Sequence, residues 1–503
     1  MRRLLFFLSL LLSFQSFATE TKDFLFILYL NADNSLDRQV GVIVGRLQQL
    51  KELKNTHVTV YFDGERLNDT HWYYLTQGPG GVRSVTVKEN IEMDSAASDT
   101  IVDFVAWSLA NFPARKNIFL MAAHGFGVHG LTEAREHNNF IDDRQSGNAR
   151  NDDHWTRLLE TELKNQNKKI DLFVYYSCLM GEIENLLPFK RITEAVVASK
   201  TSIWLDKNPY STLARGIEPE KFIAFADAHP EVKAVNLAEH IVDNFRKSYE
   251  AHTFEDAPGF FKQHEAALAV FDLNNLEPAI ERLNETARRI LNHPEKEEIY
   301  RRIIIDLLSF PQSVSYEYFD YGVLLDYFAS LTENTTDTVN WLTESDRPMI
   351  LKRYDRNNEF PVDQQLSGLS VYFPNFYAWF IKRTYTTSVF QHYASDIPEE
   401  FSDWKKFVSD YYGFVRENEI KMFMEFAIQR IFEETDFPAS RWGPSELNND
   451  IWLFTVVETL LLRRKKDPEI RALAKDYISR IEKALHKDKA LKDHINLLKD
   501  AYD

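Results

Sequence analysis

The stretch that decides the fold is Asp171-Leu-Phe-Val-Tyr-Tyr-Ser-Cys178-Leu-Met-Gly181. Its apolar run from Leu172 to Tyr176 has the length and aromatic content of a buried strand, and apolar residues at helical spacing follow Gly181. This pattern predicts that Cys178 lies at the carboxyl end of a strand, with a helix beginning just beyond it. Ligands bind at that edge of an open parallel sheet. A helix N-terminus beside a thiol lowers the thiol pKa, because its dipole favours the thiolate.

Cys178 is also the only cysteine among the 503 residues. Two interpretations of this thiol are open at this point: a nucleophile at a sheet edge, or a small buried core residue, since free cysteine is often buried. A single cysteine cannot form an intrachain disulfide, even in an oxidising compartment. Because residues 1–18 have the pattern of a secretory signal, this lone thiol would have to survive export, which favours the nucleophile.

A second apolar run, Lys116-Asn-Ile-Phe-Leu-Met-Ala-Ala-His124-Gly125-Phe-Gly127, has the same organisation. A predicted strand ends in a histidine, and the glycines after it allow a sharp turn. On a neighbouring strand, His124 would reach the same sheet edge as Cys178 and act as general base and acid for its thiol. The backbone N–H groups of Gly125 and Cys178 would face a developing oxyanion.

Residues 24 to 250 alternate between strand-like and helix-like patterns. Such alternation predicts an α/β fold with a mostly parallel sheet and helices on both faces. Ser98 is predicted to cap the helix before the histidine strand. Strands are expected at Phe24–Tyr29, Val58–Phe62 and Ala195–Ser199, with later ones at Leu268–Phe271 and Leu369–Phe373.

These residues resemble the clostripain family of cysteine peptidases, which belongs to the caspase-like group and places His before Cys on adjacent strand ends. The order His124-Gly, then Cys178-Leu-Met-Gly with Glu182 shortly after, carries the resemblance. It extends over most of residues 24 to 410. Three further segments are similar to family signatures: Leu28-Tyr-Leu-Asn-Ala-Asp-Asn-Ser-Leu36, Ile91-Glu-Met-Asp94 and Ser367-Gly-Leu-Ser-Val-Tyr-Phe-Pro374.

The resemblance implies a caspase-like α/β/α sandwich and a cysteine endopeptidase that uses a Cys-His dyad on protein or peptide substrates. Cys178 would attack the scissile carbonyl, and His124 would move the proton. The alternative is a catalytically silent relative, kept as a binding or adhesion module on the same scaffold. The presence of both Cys178 and His124 argues against this alternative, because a silent relative needs neither.

One departure from the family concerns the substrate pocket. The family usually has Asp-Ala before the cysteine, where the Asp receives a basic side chain, and this chain has Tyr176-Ser177. A phenol is uncharged near neutral pH, so a strict preference for Arg or Lys should be weakened. Substrate contacts are predicted for both residues, for Ser199 and for the loop around Asp206. In a second interpretation, Asp206 or Glu182 supplies the missing carboxylate.

Residues 131 to 155 are polar and loop-like. They predict either a solvated surface loop or a flap with a self-cleavage site, since relatives can be cut between the histidine and cysteine strands. Arg144 and Arg150 would be the processing positions. Some relatives need calcium, so the resemblance makes Ca²⁺ a candidate cofactor for the acidic residues here. Their spacing fits no EF-hand loop, and no other cofactor or metal is implied.

Residues 1–18 have the pattern of a secretory signal. A basic start with Arg2 and Arg3 precedes the apolar run Leu4–Phe14 and the small-x-small site Ser16-Phe17-Ala18. The run is short for a membrane span, although a retained anchor is the alternative. We therefore expect an exported protein, periplasmic or secreted, with no transmembrane segment after removal of the signal.

The net charge limits the function classes that remain, and the length limits the number of domains. A formal net charge of −17 argues against nucleic-acid binding as the main role. The chain is long enough for two or three domains. We expect a signal peptide at 1–18, a catalytic domain at 19–250, the C-terminal part of the clostripain-like region at 251–414 and a helical extension at 415–503. The sequence does not indicate the oligomeric state.

Overall fold

A computed structural model describes residues 20–34, 36–78, 80–125, 142–143, 148–149, 152–201, 203, 216–250, 266–307, 318–356, 366–373, 398–415, 471, 475, 478 and 479. Several predictions concern residues outside these ranges. They are the signal segment 1–18, most of the polar loop, the positions Arg144, Arg150 and Asp206, and most of 415–503.

The strands are β1 (Lys22–Asn31), β2 (Thr56–Asp63), β3 (Thr70–Gly78), β4 (Gly81–Ile91), β5 (Ala114–Ala122), β6 (Asp142–Asp143), β7 (Asn148–Ala149), β8 (Leu172–Tyr176), β9 (Ala195–Ala198), β10 (Ala266–Asp272), β11 (Tyr318–Asp320), β12 (Ile350–Arg356) and β13 (Ser370–Tyr372). The α-helices are α1 (Asp37–Leu47), α2 (Ser98–Asn111), α3 (Asp152–Gln166), α4 (Ile183–Leu186), α5 (Pro219–Ala228), α6 (Ala234–Glu250), α7 (Leu276–Leu291), α8 (Lys296–Asp306), α9 (Tyr321–Leu331) and α10 (Thr338–Glu344). Short 3₁₀ turns are Leu187–Arg191, Leu273–Asn275 and Glu399–Phe401.

The main sheet has nine strands within the described residues, in the order β12-β10-β9-β8-β5-β1-β2-β3-β4. The central strands from β9 to β2 run parallel, and the outer two on each side are antiparallel to their neighbours. The predicted mostly parallel sheet is thus confirmed. Because β10 and β12 come after residue 250, the sheet uses chain well beyond the first 250 residues.

Helices cover both faces of the central strands. On one face, the even-numbered residues from Phe24 to Leu30 pack in a core with α1, α5 and α6. On the other, Tyr29 stacks on Tyr61 with ring centroids 4.2 Å apart, and Trp155 of α3 contacts Phe119. A parallel strand buried on both sides is apolar at nearly every position, which explains the continuous apolar runs of the sequence. The predicted α/β/α sandwich is confirmed.

Two local predictions differ in outcome. Cys178 does follow a buried strand, since β8 covers Leu172–Tyr176 as expected. The capping prediction is wrong: Ala97 is the N-cap of α2, no side chain caps it, and Ser98 is the first helical residue. The strand predicted at Leu369–Phe373 is present as β13, which pairs with β11 in a separate two-stranded sheet.

The chain divides into two compact units. Residues 1–290 and 310–405 form the first, which contains the main sheet, and residues 291–309 and 406–503 form the second. In the second unit, Asp410 accepts a hydrogen bond from the Tyr300 hydroxyl at 2.8 Å and pairs with Lys296 at 2.7 Å. Its described residues are largely helical, as expected for a helix-rich C-terminal region. In the ranges given above, no helix is long and apolar enough to cross a membrane.

Candidate active site

His124 and Cys178 occupy equivalent positions on neighbouring parallel strands. In the register of β5 and β8, Ala122 is paired with Tyr176. His124 lies two residues after Ala122, and Cys178 lies two residues after Tyr176, so both are beyond the carboxyl ends of their strands. Adjacent strands are about 4.8 Å apart, so the two residues leave the sheet side by side. Both are partly exposed, as chemistry on an incoming substrate requires.

Gly125 packs directly against the backbone of the cysteine. A Cβ atom at position 125 would overlap the Cys178 carbonyl oxygen and would lie 3.0 Å from the Cys178 nitrogen. It would also lie 2.9 Å from the Ser177 Cβ. Only glycine fits this approach, which brings the His124-Gly125 turn into contact with the cysteine.

The sulfur of Cys178 is held by a backbone group. The N–H of Ile203 donates to Sγ at 3.3 Å, and the Cys178 thiol donates to the Ile203 carbonyl at 3.8 Å. A hydrogen bond donated to sulfur favours the thiolate, whereas one that the thiol donates to a carbonyl favours the protonated form, so Ile203 can serve both states of the sulfur. The predicted helix dipole contributes little, because α4 begins five residues after Cys178 and has only four residues.

The segment after the cysteine runs along the end of β9. The N–H of Leu179 donates to the Thr201 carbonyl at 3.0 Å, and the N–H of Gly181 donates to the Ser199 carbonyl at 2.7 Å. Leu179 adopts φ +55°, a left-handed conformation that costs a non-glycine residue about 1–2 kcal/mol. Such strain is found where the surrounding structure fixes the backbone, as these hydrogen bonds do here.

The described residues predicted to contact substrate are all buried. Tyr176 is 5% exposed, Ser177 2% and Ser199 0%. The Ser199 hydroxyl donates to the Thr201 carbonyl at 2.9 Å, whereas the Ser177 hydroxyl has no hydrogen-bond partner within the part of the chain described. Their substrate contacts stay predictions.

Tyr176 belongs to the apolar core shared with α5 and α6. Burial raises the pKa of its phenol well above the ordinary value, and the neighbouring Tyr249 and Glu220 act in the same direction. Burial likewise raises the pKa of Glu220, whose Oε2 has no hydrogen-bond partner among the described residues. Sequence reasoning did not single out Glu220, because helix α5 reaches Tyr176 only in the folded chain.

An ion cluster that sequence reasoning also missed lies at the same sheet edge. Lys200, directly after Ser199, has its Nζ 2.9 Å from Asp320 Oδ2 and 2.6 Å from Asp355 Oδ2. The three side chains are 4%, 2% and 9% exposed. Two acidic partners hold the pKa of Lys200 above its ordinary value although burial alone would lower it.

Calcium has no evident ligand set in the described residues. Among them, no group of three or more His, Cys, Asp or Glu side chains is arranged to hold a metal ion. The polar loop suggested for calcium lies mostly outside the described ranges.

Comparisons with known proteins cover most of the chain. The sequence model of the clostripain family matches residues 28–413. Clostripain from Hathewaya histolytica is 22% identical over an alignment of 411 positions, which covers 69% of this chain and 74% of that protein.

Two X-ray structures of a secreted C11 cysteine protease from Bacteroides thetaiotaomicron share the fold. The one in complex with an irreversible peptide inhibitor has a TM-score of 0.52 at 14% identity, covering 76% of this chain and 99% of the other. The one named iotapain has a TM-score of 0.53 at 14% identity with the same coverage.

Proposed function

The chain belongs to the clostripain family of cysteine peptidases, and we propose that it hydrolyses internal peptide bonds of proteins or peptides with Cys178 as nucleophile and His124 as general base and acid. The carrying observation is the equivalent position of these two residues beyond paired strand ends. The close packing of Gly125 on Cys178 supports the proposal, because it fixes the histidine turn against the nucleophile.

In the proposed reaction, the Cys178 thiolate attacks the scissile carbonyl carbon and forms a tetrahedral intermediate. His124 takes the thiol proton and then gives it to the leaving amine as the C–N bond breaks. The resulting thioester is hydrolysed by water, which His124 deprotonates, and the acid product leaves as the thiol is restored. The Ile203 N–H supports the first step by stabilising the thiolate.

The oxyanion is assigned to the backbone N–H groups of Gly125 and Cys178. The Gly125 N–H has no acceptor within the described residues, which suits a donor reserved for substrate. Two preorganised donors of this kind stabilise the negative charge that develops on the carbonyl oxygen.

Substrate selection is proposed to depend on Tyr176 in place of a carboxylate. A buried, neutral phenol offers no partner to a guanidinium or ammonium group, so selection for Arg or Lys should be weak. Ser177, Ser199 and Asp206 complete the proposed substrate-binding set, and Arg144 and Arg150 are the proposed processing sites.

Export to the periplasm or beyond is part of the proposal. It rests on the signal pattern of residues 1–18 and on the description of the structural relatives as secreted. The proposed catalytic region, 19–250, also needs β10 and β12 from the 251–414 region to complete its sheet. The helical extension is proposed to begin at residue 415.

The test is Cys178→Ala, assayed on casein and on a peptide library with thermal melting as a control. We expect peptidase activity to vanish while the melting temperature stays close to that of the parent. His124→Ala should cost nearly as much, since a nucleophile and its base act as a unit. Full activity in folded Cys178→Ala would refute the assignment, and a parent inactive on every substrate would favour the silent binding module.

A further inference from the structure

We propose that the buried ion cluster of Lys200, Asp320 and Asp355 positions the nucleophile. In this proposal, Lys200 fixes the segment after β9 whose Ile203 N–H donates to the Cys178 sulfur. This inference rests on the proposed role of Cys178. Lys200 does not touch the sulfur, and it is a positioning residue because it acts through its backbone neighbours.

The first link runs along the chain from Lys200. Its neighbours Ser199 and Thr201 accept hydrogen bonds from the backbone of the segment that follows Cys178. Three residues beyond Lys200, the N–H of Ile203 donates to the sulfur at 3.3 Å. Ser199, Thr201 and Ile203 thus all contact the cysteine segment, and the Lys200 side chain anchors the chain between them. We call residues 199–203 the strip.

The second link runs through Asp320. Its Oδ2 accepts the N–H groups of Ser367 at 2.9 Å and Gly368 at 3.3 Å, in addition to the Lys200 ammonium. Burial tends to raise the pKa of Asp320, but Lys200 and the N–H donors of Ser367 and Val323 outweigh it and hold that pKa below its ordinary value. The carboxylate thus joins the strip to the 367–370 segment.

The two links meet at Gly181. Its N–H donates to the Ser199 carbonyl at 2.7 Å, and its own carbonyl accepts the N–H of Ser370 at 2.9 Å. A Cβ at this position would lie 2.9 Å from the Lys200 nitrogen, so the packing is close. The Lys200–Asp320 pair therefore holds Gly181, three residues after Cys178, between the strip and the 367–370 segment. We call this arrangement the clamp.

A role in positioning explains why charges occupy this buried place. Well-packed apolar residues stabilise a fold as well as a buried ion cluster does, but they do not fix directions as hydrogen-bonded charges do. Asp355 is the second partner of Lys200. Burial and the neighbouring Asp320 raise the pKa of Asp355, and Lys200 and the nearby Arg353 offset this only in part. Lys200 stays ionised throughout the range of an assay because its pKa is raised.

The experiment uses the single thiol as its probe. Since Cys178 is the only cysteine, its alkylation by iodoacetamide as a function of pH gives the thiol pKa without any peptidase assay. The main variant is Lys200→Met/Asp320→Asn/Asp355→Asn, which removes all three charges of the cluster at similar volume. Asp320→Asn is the milder variant, because it removes the Lys200–Asp320 ion pair and leaves Lys200 its second acidic partner, Asp355. Lys352→Met, which breaks the partly exposed pair with Asp243, is the matched control.

We expect the triple variant to melt near the parent, to have a thiol pKa about one unit higher or more, and to lose about tenfold or more in kcat at similar KM. Lys352→Met should change none of these. A folded triple variant with the parental thiol pKa and kcat would overturn the proposal. If the triple variant does not fold, an unshifted thiol pKa in Asp320→Asn overturns it instead. Loss of activity in Cys178→Ala is scored separately, so failure of the proposed function is distinguishable from failure of the clamp.

Discussion

Gly125 lies so close to Cys178 that any side chain at position 125 would overlap the Cys178 carbonyl oxygen. The contact joins the ends of β5 and β8 beyond their last paired residues. It therefore couples the position of His124 to that of the sulfur. A change as small as one methyl group should separate the two.

Gly125→Ala is expected to lower kcat/KM by about a hundredfold or more, because a displacement near 1 Å between reacting groups is enough for such a loss. Gly45→Ala is the matched control, since Gly45 lies on α1 and a Cβ there meets nothing within 4 Å. The control should keep full activity and gain roughly 0.5–1 kcal/mol in stability, as alanine is favoured over glycine in a helix. Steady-state kinetics and thermal melts measure both. Wild-type kcat/KM in Gly125→Ala would show that the contact does not position the site.

The second prediction concerns the residue before the cut. Tyr176 is buried and neutral, so peptides that differ only at that residue should show an Arg preference below about a hundredfold, or roughly 2.7 kcal/mol of transition-state discrimination. Relative kcat/KM values on matched peptides with Arg, Lys, Leu and Phe measure it. By the same argument, cleavage after Arg144 or Arg150 should not be autocatalytic.

A larger Arg preference would mean that another carboxylate replaces the missing Asp. Glu220 is the first candidate, because it neighbours Tyr176 and its Oε2 has no partner among the described residues. The Glu220→Gln variant then shows whether Glu220 is the carboxylate that receives the Arg side chain. Loss of the Arg preference in this variant would assign the carboxylate to Glu220, and its retention would leave Asp206 or Glu182.

The sequence predicts the parts of this site that depend on strand ends. β5 and β8 are buried on both faces, so their continuous apolar runs identify them, and the polar residues that follow must lie at the edge. Tertiary partners are not encoded in such runs. Lys200 meets Asp320 across 120 residues of sequence, and no periodicity specifies that pairing. The Ile203 contact with the sulfur uses a backbone N–H, which any residue type except proline could supply.

Export should leave a mature chain that begins near Thr19. The charged start, apolar run and small-residue site of residues 1–18 follow the order that signal peptidases recognise. N-terminal sequencing of the protein exported by an expressing cell measures it. Replacing Ala18 by a bulky residue should block processing at that site. An intact Met1 in the membrane fraction would show that the segment is a retained anchor.

The last prediction concerns His57, a 1% exposed residue at the start of β2. Its Nε2–H donates to the Glu20 carbonyl at 3.0 Å, while Nδ1 is buried with no partner among the described residues. Protonation would place an unpaired N–H at Nδ1. Burial therefore lowers the His57 pKa to about 4, with the nearby Lys22 acting in the same direction.

Because this pKa is lowered on folding, the contribution of neutral His57 to stability is fully present above pH 6.5 and is lost as the pH falls through about 4. Between those values the unfolded chain binds a proton that the folded chain does not, which costs at most about 3 kcal/mol of unfolding free energy. Denaturant unfolding of the parent and of His57→Asn at several pH values isolates the effect, since the carboxylates are common to both. The variant should be less stable at pH 7.5 and lose less stability on acidification to pH 4.5. His229→Asn, at an exposed histidine, controls for the loss of an imidazole. Parallel pH profiles for the parent and His57→Asn would show that His57 accepts its proton in the folded chain as readily as in the unfolded one.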